Sequence, residues 1–147
     1  MVSPDDDANE PTGRRERDVH AAKPVVYIVD DDASVRRALT RLLRSAGLEA
    51  AAFDSAEAFL QAGRQEQPGC LVLDVRLAGM TGLELLDQLT AAGIALPVII
   101  ITAHDDAQVR TRAARAGVVA YLRKPFDDHA LLAAIQRALG PDSGSPL

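Results

Sequence analysis

Between Pro24 and Leu139 the chain alternates two hydrophobic patterns. The first is a short unbroken apolar run. Val25–Val29, Cys70–Asp74 ("CLVLD"), Pro97–Thr102 ("PVIIIT") and Val118–Leu122 ("VVAYL") are of this kind, and they fit strands covered on both faces. Leu48–Phe53 reads as a fifth, weaker strand. The second pattern repeats at helical spacing. From Ala33 to Ala46 the apolar positions are Val35, Ala38, Leu39, Leu42, Leu43 and Ala46, with Gly47 at the C-terminal cap. Ser55 is suited to cap the helix "AEAFLQAG". Thr81–Ala92 carries Leu83, Leu85, Leu86 and Leu89. Asp105–Ala116 is only weakly amphipathic and stops at Gly117. A last helix starts at Asp127 or Asp128, carries Leu131, Leu132, Ile135, Ala138 and Leu139, and ends at Gly140-Pro141.

Five strands alternating with five helices predict an α/β fold with a doubly wound parallel sheet, because right-handed crossovers place helices on both faces. The flanks differ. Residues 1–23 lack hydrophobic periodicity and are rich in Asp, Arg, Pro and Glu, so a disordered extension is expected there. Residues 140–147 are expected to form a flexible tail, which leaves one domain over 24–139. The "RRER" run in the extension is read as a solvated charged segment. With 48% hydrophobic and 3% aromatic residues, the core is built from Leu, Val, Ile and Ala. A formal net charge of −5 argues against a domain-wide basic footprint for nucleic acid. The single cysteine, Cys70, excludes an intrachain disulfide and a Cys-based zinc site, and its apolar neighbours mark it as a buried thiol. No signal-peptide pattern is present, and the longest apolar stretch, around "IALPVIII", is too short to span a bilayer, so the expected setting is the cytoplasm without membrane attachment.

In a doubly wound sheet the ligand site lies beyond the carboxyl ends of the strands. Here the first strand runs into Asp30 and Asp31, the third ends in Asp74, the fourth in Thr102, and Lys124-Pro125 follows the fifth. Three close carboxylates cannot all stay ionised unless a cation joins them or one binds a proton. An oxygen-only ligand set with few carboxylates suits magnesium. A cation, a lysine and a hydroxyl around a carboxylate are the parts needed to stabilise a transferring phosphoryl group, and the carboxylate can itself be the nucleophile. The plainer alternative is an internal ion pair between Lys124 and one aspartate. Five such residues at matching strand ends favour a site, because buried carboxylates without a role are costly.

"VDDD" after the first strand, "LVLDVRLAGMTGLELL" around Asp74, "IIITAHDD" around Thr102 and "AYLRKPF" around Lys124 resemble, in order, the receiver domain of bacterial two-component response regulators. "YIVDDDASVRRAL", "FDSAEAFL" and "LRKPF" are similar to its FixJ-type subfamily. The resemblance implies a CheY-like (βα)5 fold with strand order 2-1-3-4-5. It makes Asp74 the phosphoryl acceptor, supplied by the phosphohistidine of a sensor histidine kinase. Asp31 and Asp74 would bind Mg2+ directly and Asp30 through water, with the backbone carbonyl of Arg76 completing the protein ligands. Thr102 and Lys124 would contact the phosphoryl oxygens, and Thr102 with Tyr121 would form the switch. Such a protein catalyses its own phosphoryl transfer and dephosphorylation as a signalling switch, not as a metabolic enzyme. The Lys124-Pro125 bond is usually cis in the family. Phosphorylation is expected to act through the fourth helix, fifth strand and fifth helix. There Arg110, Arg112 and Arg115 could pair across a homodimer with Asp127 or Asp128.

Asp32 matches no ligand position and is read as a helix cap or a solvated acid. His104, two residues past Thr102, either approaches the phosphoryl group or is a plain loop residue, and His20 and His129 read as surface residues. Tyr121 on its own would be a strand aromatic with its hydroxyl near water. The loop "LAGMTG" departs from the family's "MPxMSG", with Ala78 in place of proline and Gly79 after it, which relaxes the backbone and predicts mobility there. Among competing classes, a dehalogenase-type phosphatase needs an acid where this chain has Arg76. A flavodoxin-like FMN carrier needs a phosphate loop where "DDD" would repel phosphate. An interaction module that is never phosphorylated would not need the full set of acids, hydroxyl and lysine. FixJ-type receivers usually precede a helix-turn-helix domain. None is expected within these 147 residues, so the chain is either a stand-alone receiver or the receiver portion of a longer regulator.

Overall fold

The structure is a computed structural model, described here for residues 23–62 and 68–140. The expected extension over 1–23 lies outside the described residues except for Lys23, and so does the expected tail except for Gly140. In chain order the elements are β1 (Val25–Val29), α1 (Ala33–Ser45), β2 (Glu49–Phe53), α2 (Ala56–Ala62), β3 (Gly69–Asp74), α3 (Gly82–Ala91), β4 (Val98–Thr102), α4 (Ala107–Arg115), β5 (Ala120–Arg123) and α5 (Asp128–Leu139). The strands form one parallel sheet in the order β2-β1-β3-β4-β5. This is the doubly wound, CheY-like arrangement anticipated from the sequence.

Strand alternation assigns each side chain to a face, and the two faces have separate cores. Val26, Ile28, Cys70, Val72, Ile99 and Ile101 point to the side covered by α1 and α5, where they meet Leu39, Leu43, Leu131 and Ile135. Tyr27, Val29, Leu71, Leu73 and Ile100 point to the other side and pack on Phe59 of α2, Leu85 and Leu89 of α3, and Ala113 of α4. Tyr27 and Phe59 meet edge to face, with ring centroids 5.4 Å apart. Burying an aliphatic side chain of this size contributes roughly 1.5–3 kcal/mol, so strands covered on both faces form the most strongly anchored part of the chain.

Helix starts follow the sequence chemistry and refine the expected boundaries. The Asp32 carboxylate accepts from the amides of Ser34 (2.8 Å) and Val35 (3.4 Å), which makes Asp32 the cap of α1. Ser55 accepts from Ala58 N at 3.0 Å at the start of α2. Thr81 and Glu84 form a reciprocal capping box, and Asp127 caps α5. The α4 cap is Asp106 and not Asp105, because the Asp105 carboxylate is engaged by Arg110. β5 begins at Ala120, two residues later than expected, because the Val118 amide closes the end of α4 by donating to Ala113 O (3.3 Å).

Candidate phosphoryl-transfer site

The carboxyl ends of β1, β3, β4 and β5 gather Asp30, Asp31, Asp74, Thr102 and Lys124 at one edge of the sheet, with contributions from across the sequence. β1 and β3 are neighbours in register, so the acids that follow Val29 and Leu73 stand side by side. Asp30, Asp74 and Thr102 are the buried polar residues among those described, and Asp31 is exposed. One carboxylate oxygen from each of Asp30, Asp31 and Asp74 lies within 4.8 Å of the other two.

Lys124 reaches this cluster because Lys124 N donates to Thr102 O at 2.7 Å, extending the β4–β5 pairing past the end of the strands. Its ammonium Nζ donates to Asp30 Oδ2 at 2.8 Å and Asp74 Oδ2 at 3.3 Å. The Lys124-Pro125 bond is cis. The second oxygen of each buried acid is held by backbone: Asp32 N donates to Asp30 Oδ1 (2.9 Å) and Arg76 N to Asp74 Oδ1 (3.1 Å). Burial, then the charge of Asp30, pushes the Asp74 pKa up, against the Arg76 amide and Lys124, which favour its ionised form. Burial disfavours the charged form of Lys124, but hydrogen bonding and charge from Asp30, followed by Asp74, outweigh it and leave its pKa raised. The plain ion pair is therefore present, yet one ammonium cannot neutralise three carboxylates. The all-oxygen donor set and the exposed opening at Asp31 fit a hard divalent cation such as magnesium.

The other sequence candidates are arranged around this centre. The Thr102 hydroxyl accepts from His104 N (3.0 Å) and donates to His104 O (3.1 Å), so its own loop holds it. His104 contributes its backbone to that turn, and the residue as a whole is exposed. Tyr121 is half-buried, with its hydroxyl 3.4 Å from Asp105 Oδ1 and the Arg110 guanidinium 5.5 Å from its ring centroid. Arg110 pairs with Asp105, and Arg112 Nη2 with Asp87 Oδ2 at 2.8 Å. Two of the three arginines expected to reach across a dimer are thus paired within the chain, with acids of the β4–α4 loop and of α3. Asp127 serves its own helix by accepting from His129 N at 2.8 Å.

Two supporting residues were not singled out by the sequence. Arg36 donates from Nη1 to Asp30 O at 2.8 Å, fixing the carbonyl beside the first acid from α1. Glu57, in α2, accepts from Met80 N at 2.9 Å in the loop that follows Asp74. An arginine one helical turn past the acidic run was a visible hint for the first. For the second, no local signal exists, since its partner lies 23 residues away.

A five-stranded (βα)5 sheet with an acid cluster and a lysine at its carboxyl edge defines a receiver, and the chain belongs to that family. The response regulator receiver domain description matches residues 26–136. Among curated proteins, the chain is 45% identical over 122 residues to nodulation protein W of Bradyrhizobium diazoefficiens, covering 83% of this chain and 54% of the relative. It is 45% identical over 115 residues to the transcriptional regulatory protein FixJ of Azorhizobium caulinodans, covering 78% and 54%. The chain therefore spans about half the length of these relatives. Among solved structures, the response regulator StyR shares 53% identity with a TM-score of 0.76, over 80% of this chain and 60% of that one. FixJ-N shares 39% identity with a TM-score of 0.74, over 80% and 94%. The protein is a two-component response regulator receiver of the CheY-like fold with an acidic phosphorylation site.

Proposed function

We propose that this receiver accepts a phosphoryl group from the phosphohistidine of a sensor histidine kinase onto Asp74, and that the modified domain switches an interaction surface. The observation that carries the reading is the convergence on Asp74: Lys124 Nζ on one oxygen, the Arg76 amide on the other, and two further acids alongside. The Asp74 carboxylate attacks phosphorus, the new O–P bond forms as the P–N bond breaks, and the leaving imidazole nitrogen keeps the electron pair. Arg76 N orients the carboxylate for in-line attack, and Lys124 moves from its carboxylate partners to the phosphoryl oxygens. Asp30, Asp31, Asp74 and the Arg76 carbonyl would hold Mg2+, which when bound offsets negative charge on the phosphoryl oxygens.

The switch is assigned to Thr102 and Tyr121. The Thr102 hydroxyl gives up its His104 backbone partners for the phosphoryl group, and the Tyr121 ring turns inward. The changed surface comprises α4, β5 and α5. A homodimer through it would exchange the internal Arg110–Asp105 and Arg112–Asp87 pairs for pairs between copies. Sedimentation with the phosphoryl mimic beryllofluoride checks this: a shift to twice the mass is expected, and a profile unchanged from the untreated protein rejects the dimer.

The receiver unit is taken as residues 24–139. The half-length match to full regulators supports a second reading of the context, in which this unit is the receiver portion of a longer FixJ-type transcriptional regulator. No helix among the described residues is long and apolar enough to cross a membrane, and a cytoplasmic setting is part of the proposal. The test is incubation with magnesium and acetyl phosphate followed by intact-mass measurement. The wild type should gain one phosphoryl group and Asp74→Asn none. Equal gain in both removes Asp74 as the acceptor.

A further inference from the structure

The segment 75–81 between β3 and α3 follows the acceptor, and its geometry is set at three points. At its base, Val75 N donates to Ile101 O (3.3 Å) and Gly82 N to Val75 O (3.1 Å). Gly82 is required there, since a Cβ would lie 2.4 Å from the Asp74 carbonyl oxygen. At the exit, the Thr81–Glu84 capping box fixes the turn into α3. The tip is different. Gly79 adopts φ +74°, and Ala78 before it is free of the ring that would restrict a proline. Nothing in its own backbone pins this stretch.

The pin comes from another βα unit. Glu57 Oε2, in the first turn of α2, accepts from Met80 N at 2.9 Å. The same oxygen would stand 2.9 Å from a Cβ at position 79, so the glycine leaves room for the carboxylate to lie against the loop. The Met80 amide, through its hydrogen bond, and then the helix backbone of Glu57 hold the Glu57 carboxyl below the usual range, so the acceptor is charged at neutral pH. Among the described residues no other element hydrogen-bonds to the tip. The loop's first residues in turn act on the site, because the Arg76 amide holds Asp74 Oδ1.

We infer that Glu57 is a positioning residue for the acceptor loop: by holding Met80 it keeps the Arg76 backbone aligned with Asp74. This rests on the reading of Asp74 as the acceptor. Glu57 touches neither Asp74 nor the transferring group, so it acts through the loop. It supplies from α2 the restraint that Ala78 and Gly79 do not provide.

The test compares wild type, Glu57→Gln and Glu57→Ala. Glu57 is exposed, so the fold is expected to survive either change. The first readout is amide exchange at Met80 by NMR without magnesium. It should speed up roughly threefold to tenfold in Glu57→Ala, the range for losing one net hydrogen bond, and less in Glu57→Gln, whose carbonyl still accepts. The second is the rate of phosphorylation by acetyl phosphate against magnesium concentration. Glu57→Ala should need several-fold more magnesium for half-maximal rate, and Glu57→Gln should recover most of that loss. Two results overturn the inference. Met80 exchange unchanged in Glu57→Ala means the tether is not formed. Faster exchange with the magnesium dependence and maximal rate both unchanged means Glu57 anchors a loop that does not affect the site. If the wild type gains no phosphoryl group, the acceptor reading fails and takes this inference with it, a result the exchange data do not mimic.

Discussion

Lys124 Nζ bonds both buried acids, at 2.8 Å from Asp30 and 3.3 Å from Asp74. A hydrogen bond to a charged group is worth about 1.5–3 kcal/mol. Lys124→Met should therefore slow phosphorylation by acetyl phosphate on the order of 10- to 100-fold while leaving the circular dichroism spectrum unchanged. A rate within about twofold of wild type would show that the ammonium does not act on the transferring group. Asp30, Asp31, Asp74 and Thr102 were legible in the sequence because each is an acid or hydroxyl at the end of an apolar run, and Lys124 because it follows the fifth such run. Arg36, Glu57 and Asp105 carry no such mark. Arg36 and Asp105 meet partners six and five residues away, Asp30 and Arg110, through local turn geometry. The role of Glu57 appears only once the loop carrying Met80, 23 residues on, is placed beside it.

At the scale of elements, the strands were the easiest to read. Val98–Thr102 and Cys70–Asp74 are buried throughout, so their sequences are continuous apolar runs. β2, at the sheet edge, has partly exposed residues and a correspondingly weak signal. Helix ends were legible to within a cap residue, with errors where a side chain had two competing uses. Asp105 is the clear case: as a loop acid before a helix it reads as part of the helix start, but Arg110 draws it away and Asp106 takes the cap. The α4–β5 surface was legible as a basic face but not as a paired one. Arg110 and Arg112 find carboxylates in the loop before α4 and in α3, and sequence spacing alone cannot place those.

For the whole molecule, the parallel sheet with helices on both sides accounts for both stability and site. The same burial that anchors β1 and β3 brings their terminal acids out of water, and this burial, then the charge of Asp30, leaves Asp74 with a raised pKa. Cys70 reports on that core. Burial pushes its thiol from an ordinary 9.0 up to about 12. The unfolded chain then releases this proton first as pH rises, so this contribution to stability is intact below about pH 9 and is lost as pH climbs toward the folded value. The urea midpoint should fall more steeply between neutral pH and about pH 10 in wild type than in Cys70→Ala. Parallel slopes would mean that the thiol is not sequestered.

The central claim is that clustered acids tolerate one another because cations neutralise them, leaving Asp74 to take phosphorus. The most direct measurement treats the protein with acetyl phosphate and magnesium and then with borohydride, which reduces an acyl phosphate to the alcohol, and maps tryptic peptides by mass. Homoserine at position 74, within the peptide Gln65–Arg76, and only when magnesium was present, is the predicted result. Aspartate intact at 74, or homoserine at 30 or 31 instead, would contradict it.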